Sequence, residues 1–172
     1  VYHRGMASRG LDAFLGESGG IAAVLRSMRV HLKNANVQAM GCWSLVNLAL
    51  NHQQKLALLA LDGLDAVLAA MAHHPTTLEV QFRALFALIN LVIPEAGSVS
   101  TNTMDCGENA AHARVVRGVL AAMRHFPESE KLVRCGCLVL HNLSLDDKNV
   151  PHLLAFGVAR PLQLSLIHIS EP

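Results

Sequence analysis

Ten histidines and four cysteines in 172 residues are the first side chains to weigh for chemistry. Imidazole serves as acid, base or metal ligand, and thiolate as nucleophile or ligand. Their placement argues against each role. His31, His73, His74 and His125 fall at the ends of apolar helical patterns, where an imidazole meets the negative helix terminus. Cys135 and Cys137 stand two apart on a helix, so they point to different sides and cannot grip one ion as a CxxC loop does. With Cys42 they sit inside apolar patterns, where free cysteine behaves as a small hydrophobe. Cys106 completes a set too small for a disulfide scaffold, so a reducing compartment, cytoplasm or nucleus, fits best. The sequence holds no Gly-rich phosphate loop, GxSxG elbow or HExxH. No catalytic residue, metal or cofactor is expected. Asn142, Leu143 and Ser144 spell a glycosylation sequon that repetition of the segment accounts for by chance.

Amides and large apolar side chains recur with more meaning. Asn47, Asn90 and Asn142 each follow, one helical turn on, a large side chain: Trp43, Phe86 and Leu138. An amide offers both a donor and an acceptor and can satisfy a peptide unit in either sense. A Trp face can carry a ligand's aliphatic stem or guanidinium. Two plainer roles compete: the asparagines can cap or bridge neighbouring copies of a repeat, and Trp43 can be core. Helical steps extend the faces to Asn36, Met40 and Asn51 in the first copy and to Glu79 and Arg83 in the second. In the third they add Lys131, Cys135 and Asp146. The set is mixed in sign.

These residues lie on a repeat. Val37–Leu50, VQAMGCWSLVNLAL, returns 43 residues later as VQFRALFALINLVI and a further 52 later as LVRCGCLVLHNLSL. In this register Leu45, Leu88 and Leu140 coincide, as do Leu48, Leu91 and Leu143, and the segments before them end at Met28, Met71 and Met123. The nine extra residues fall in PEAGSVSTNTMDCGE, a surface insertion by composition. Each copy carries three helical patterns, in the second at about residues 52–61, 64–72 and 78–92, and no strand is needed. Apolar residues make up 52% of the chain but charged ones only 16%, so the core is built from Leu, Ala, Val and Met, and disorder is excluded. A formal net charge of +1 gives no electrostatic claim on nucleic acid or an anionic membrane. No apolar run approaches the roughly 18 residues of a membrane span.

A period near 43 with three helices lies within the about 40–47 residues of armadillo and HEAT arrays and outside the about 33–34 of ankyrin and tetratricopeptide repeats. GCWSLVNLAL resembles the third helix of armadillo repeats, down to the Trp four residues before the Asn. The glycine opening the second helix (Gly20, Gly63, Gly157) resembles that family's turn. Val115 replaces it in the third copy, leaving the first helix there undefined by the pattern. The resemblance spans about residues 11–164 and implies an all-α, right-handed α-solenoid of stacked three-helix repeats. Residues 1–18 are then the remnant of a preceding repeat, and 19–62, 63–108 (with an inserted loop at 94–107) and 109–156 are armadillo-type repeats. Residues 157–164 start a truncated one. Ser165–Pro172, in LSLIHISEP, is similar to read-through of adapter DNA and is set aside as a non-native tail. Opening at Val1 and stopping within a copy lead to the expectation of a piece of a longer array.

The same resemblance implies a protein-interaction scaffold whose concave groove takes an extended peptide or partner protein. Its groove residues are Met40, Trp43, Asn47, Arg83, Phe86, Asn90, Leu138 and Asn142. Neither nucleic acid, membrane nor small-molecule substrate is expected as partner. A nuclear-import-like receptor for basic peptides is the runner-up, but it requires acidic residues around the Trp/Asn array that this stretch does not supply. A structural spacer with an empty groove is the other alternative. Arg83, near its helix start, is expected to be screened by solvent, so loss of Asn90 should weaken binding more than loss of Arg83.

Overall fold

Short polar side chains and left-handed residues decide where the helices start. The structure, a computed structural model, describes residues 19–93 and 106–157, and the chain divides into two units, Val1–Leu91 and Val92–Pro172. The first unit holds α1 (Gly20–Val30), α2 (Ala35–Leu48), α3 (His52–Ala60), α4 (Gly63–His73) and α5 (Leu78–Leu91). The second holds α6 (Cys106–His125), α7 (Glu130–Ser144), a 3-10 turn at Asp147–Asn149 and α8 (Val150–Ala155). There is no strand among the described residues. No single described helix is long and apolar enough to cross a membrane.

In the first unit Asn34 caps α2 by accepting from the main-chain N–H groups of Asn36 and Val37, and Asn51 caps α3 by accepting from Gln54. Each occupies a terminus whose first donors have no helical partner. The helices that precede α2, α5 and α7 end in one shared turn: the carbonyls of His31, His74 and Phe126 accept from Asn34, Thr77 and Ser129, at 2.9, 3.2 and 3.1 Å. This is the repeat expressed in backbone.

Left-handed residues mark it as well. Gly19, Asp62 and Gly157 have φ of 72°, 60° and 68°. They stand at the spacings that relate Asn47 to Asn90 and to Asn142. By letters Gly157 aligned with Gly20 and Gly63, but by conformation its partners are Gly19 and Asp62, one residue earlier. The helix ends where the chain turns left-handed, which Gly permits without strain and Asp more easily than most side chains. Gly63 serves a different purpose. A Cβ there would lie 2.7 Å from the Leu58 carbonyl oxygen, so glycine lets α4 start against the end of α3, from which it bends by 68°.

α2 packs most extensively on α5, α1 lies against α2 and α4, and α4 lies against α3 and α5. Leu45, Leu48, Leu88 and Leu91 are buried, as are Leu140 and Leu143 in the second unit. Met28 and Met123 press onto Gly41 and Gly136, which sit at corresponding positions of α2 and α7. Ala84 holds that position in α5, fully buried.

Two expectations need correction. The inserted loop does not reach residue 107, because α6 begins at Cys106; residues 94–105 lie outside the described part. The division at 108/109 likewise falls inside α6. Without a left-handed residue near Val115, which is buried in mid-helix, the first and second helical patterns of the third copy run on as one 20-residue helix. The remnant at 1–18, the truncated copy beyond Gly157 and the tail at 165–172 also lie outside the described residues.

Candidate functional site

α2 and α5 together build an exposed aromatic surface. Trp43 on α2 and Phe86 on α5 are 40% and 36% exposed, and their rings stack with centroids 6.0 Å apart and planes 23° apart. Trp43 is therefore a surface side chain, not a core one. Phe82, one turn before Phe86, adds a third ring at 6.2 Å. The sequence reading left Phe82 out, although its position four residues before Phe86 puts it on the same face.

Arg83 joins this cluster rather than standing in solvent. Its side chain is only 24% exposed, and its Nε lies 2.5 Å from the Glu79 carboxylate. Its Nη1 donates to Met40 Sδ at 3.0 Å, and its guanidinium carbon lies 5.5 Å from the Trp43 ring centroid. The expectation of a solvent-screened arginine fails because α2 runs beside α5 and offers both a ring and a thioether to its stem and head. Met40 itself is 56% exposed. Four of the expected residues, Met40, Trp43, Arg83 and Phe86, thus form one cluster.

The asparagines behave individually. Asn47 is exposed and its Nδ2 donates back to the Trp43 carbonyl in its own helix at 3.2 Å. Asn90 is half-buried, and its Nδ2 donates to the Val46 carbonyl at 3.4 Å. Leu50 turns its own N–H to Asn47, so Val46 would otherwise be one of the orphan carbonyls at the end of α2. Asn90 therefore bridges two copies, the structural role weighed above. Asn142 is half-buried and Leu138 is 42% exposed, both on α7 in the second unit. Cys135, placed by helical steps on the same face as Leu138, is buried: a thiol is too short to reach the surface that Met40 reaches. Asn51 and Asp146 are caps of the elements that follow.

Two glutamine amides, absent from the sequence pattern drawn above, hold the turns. Gln38 Nε2 donates to the carbonyls of Met28 and His31 at 2.8 and 3.0 Å, and Gln81 Nε2 to those of Met71 and His74 at 2.8 and 2.9 Å. Both glutamines are buried and tie the end of one helix to the start of the next. The signal was present as the recurring Val-Gln at 37–38 and 80–81.

His73, His74 and His125 stand where helices end. His73 and His125 donate from Nδ1 to the carbonyls four residues back, at 3.0 and 3.1 Å. His74 reaches across to the Leu32 carbonyl at 2.8 Å, which requires its proton on Nε2. In the second unit, Asn149 donates to the Leu143 carbonyl at 3.0 Å, so its Oδ1 accepts from His112 Nδ1 at 2.8 Å. Cys42, Cys135 and Cys137 are not joined in disulfides. Burial pushes the Cys42 thiol up to about 12 against the smaller opposing pull of Arg83, and burial raises Cys135 too. A protonated thiol is a poor nucleophile and metal ligand. Among the described residues no group of three or more His, Cys, Asp or Glu side chains could hold a metal ion.

Chemically, then, the α2–α5 face offers stacked rings, a held guanidinium and a thioether, which is equipment for binding. No protein-family model matches the chain, and no solved structure matches it.

Proposed function

We propose that the chain is part of an armadillo-type α-solenoid that acts as a protein-interaction scaffold, without catalysis of its own. An extended peptide or a segment of a partner protein lies along the face carrying Met40, Trp43, Arg83 and Phe86. The single observation that carries this reading is the exposed Trp43–Phe86 stack on two packed, equivalent helices. Aromatic side chains left at the surface in a rigid arrangement are what binding hot spots are made of. The repeat supports it as well, since stacked copies of a helical unit generate an extended surface. Asn47 and Asn142 remain candidates for main-chain recognition, while Asn90 is at least partly committed to Val46.

Trp43 is the one tryptophan of the sequence, so its fluorescence reports occupancy of this face directly. Peptides selected from a random library on the immobilised chain should shift Trp43 emission and should lose affinity about tenfold or more on Phe86→Ala. Selected peptides that bind equally well to Trp43→Ala, Phe86→Ala and the wild type, with helical circular dichroism intact, would move the ligand off this face. A library that yields no binder at all would favour the spacer reading, for which the Asn90–Val46 bond is the specific structural support.

A further inference from the structure

We infer that Arg83 makes the α2–α5 face selective for an acidic partner segment and closes it to basic ones, an inference that rests on the peptide-binding reading above. A Trp face beside polar groups is ordinarily an invitation to a ligand's guanidinium or ammonium. Here that seat is taken from within, by the Arg83 guanidinium 5.5 Å from the Trp43 centroid. A basic ligand side chain would have to displace Arg83 from the ring, from Glu79 and from Met40 together. Glu79 is the one carboxylate of the cluster, and Arg83 already engages it. A cation approaching Glu79, whose side chain is 58% exposed, or the open face of Trp43 meets the Arg83 charge held between them.

For a carboxylate the same geometry is favourable. Glu79 engages Nε and Met40 Sδ accepts from Nη1, and a guanidinium carries five N–H donors, more than these two contacts use. The guanidinium is held by a ring and by two tethers, so the ordering that a free arginine would undergo on binding has largely been done in advance. Guanidinium and carboxylate match in shape as well as in charge. The exposed faces of Trp43 and Phe86 then take an apolar side chain next to the acid. The occupant that fits is a segment in which acidic and apolar residues neighbour each other.

Two capped synthetic peptides, Ac-Leu-Glu-Leu-Glu-Leu-NH2 and Ac-Leu-Arg-Leu-Arg-Leu-NH2, test this with Trp43 emission as readout. The wild type should bind the acidic peptide at least about tenfold more tightly, the size of one charge-assisted hydrogen bond. Arg83→Gln should abolish the preference and admit the basic peptide. Glu79→Gln, which frees Nε and keeps Arg83, should widen the preference and does not depend on the Arg83 variant folding well. Preference for the basic peptide, or a ratio unchanged in both variants, overturns the inference. If library-selected peptides bind this face without acidic bias, the inference fails and the binding reading stands. If neither synthetic peptide nor any selected peptide perturbs Trp43, both fail.

Discussion

The two units carry the same third-helix pattern and use it differently. In the first, α2 and α5 each bring a glutamine, Gln38 and Gln81, that holds the carbonyls at the end of the preceding helix. In the second, the corresponding residue of α7 is Val133, and the polar tie lies elsewhere, through His112, Asn149 and the Leu143 carbonyl. The first unit starts helices at left-handed Gly19 and Asp62, whereas the second runs through the equivalent point as the uninterrupted α6. The first shows the Trp43–Phe86 stack with Arg83 over the Trp43 ring; the second shows Leu138. Buried leucines occupy equivalent positions in both units. Turns, polar ties and surface chemistry are what distinguish them, because each depends on a particular atom rather than on apolar volume.

The largest effect should come from the turn. Gly63→Ala forces a Cβ to within 2.7 Å of the Leu58 carbonyl oxygen, a main-chain atom that cannot rotate away. Overpacking of this kind costs about 1–3 kcal/mol, and the upper end is expected here. In the second unit Gly136→Ala puts a Cβ 2.6 and 2.8 Å from Sδ and Cγ of the flexible Met123 side chain and 3.4 Å from Val119 Cγ1, with no main-chain atom among them, and an alanine already occupies the matching position at Ala84. Urea unfolding of the two variants should show a clear loss for the first and a shift below about 1 kcal/mol for the second. Equal losses would mean that the turn is no more constrained than the helix interior.

Next is the glutamine tie. Gln81→Leu leaves the Met71 carbonyl without a donor, since Pro75 four residues on has no N–H, while the His74 carbonyl keeps the Thr77 N–H; a buried unsatisfied group costs about 1–3 kcal/mol. The reciprocal change, Val133→Gln, presents an amide to the matching turn in the second unit and should be neutral or stabilising. If Gln81→Leu is silent by urea denaturation, water satisfies the Met71 carbonyl and the difference between the units lies in sequence only.

The thiols separate by pH. Cys42 keeps its proton up to about pH 12 in the folded chain but ionises near the ordinary value of 9.0 when unfolded. Between these limits the unfolded state binds fewer protons than the folded one, so stability falls as pH rises, by up to about 1.4 kcal/mol per unit for this one group. Cys42→Ala should flatten that alkaline loss in melting curves collected from pH 8 upward. Alkylation of the native chain followed by mass spectrometry should mark the half-buried Cys137 before the buried Cys42 and Cys135.

The smallest effects compare two arginines. Arg83→Ala removes a ring contact, a thioether contact and an ion pair from a part-buried seat, and should cost about 1 kcal/mol. Arg134 pairs with Glu130 on the exposed side of α7, and its loss should cost less than about 0.5 kcal/mol. Thermal midpoints that move equally for both would show that the aromatic seat adds nothing to folding.

Much of this was written in the chain itself. The helices, the copy register and the buried positions Leu45, Leu88 and Leu140 follow from spacings of three and four residues, since burial of one helix face is a local demand. The caps Asn34 and Asn51 and the missing glycine at Val115 are equally local. Only packing decided the rest. The fate of Asn90 depended on whether a carbonyl of α2 came within reach, and the seat of Arg83 depended on Trp43 and Met40, some forty residues earlier, lying beside it. Long polar side chains choose among partners brought close by the fold, and a linear pattern records which residues share a face but not which neighbouring helix that face will meet.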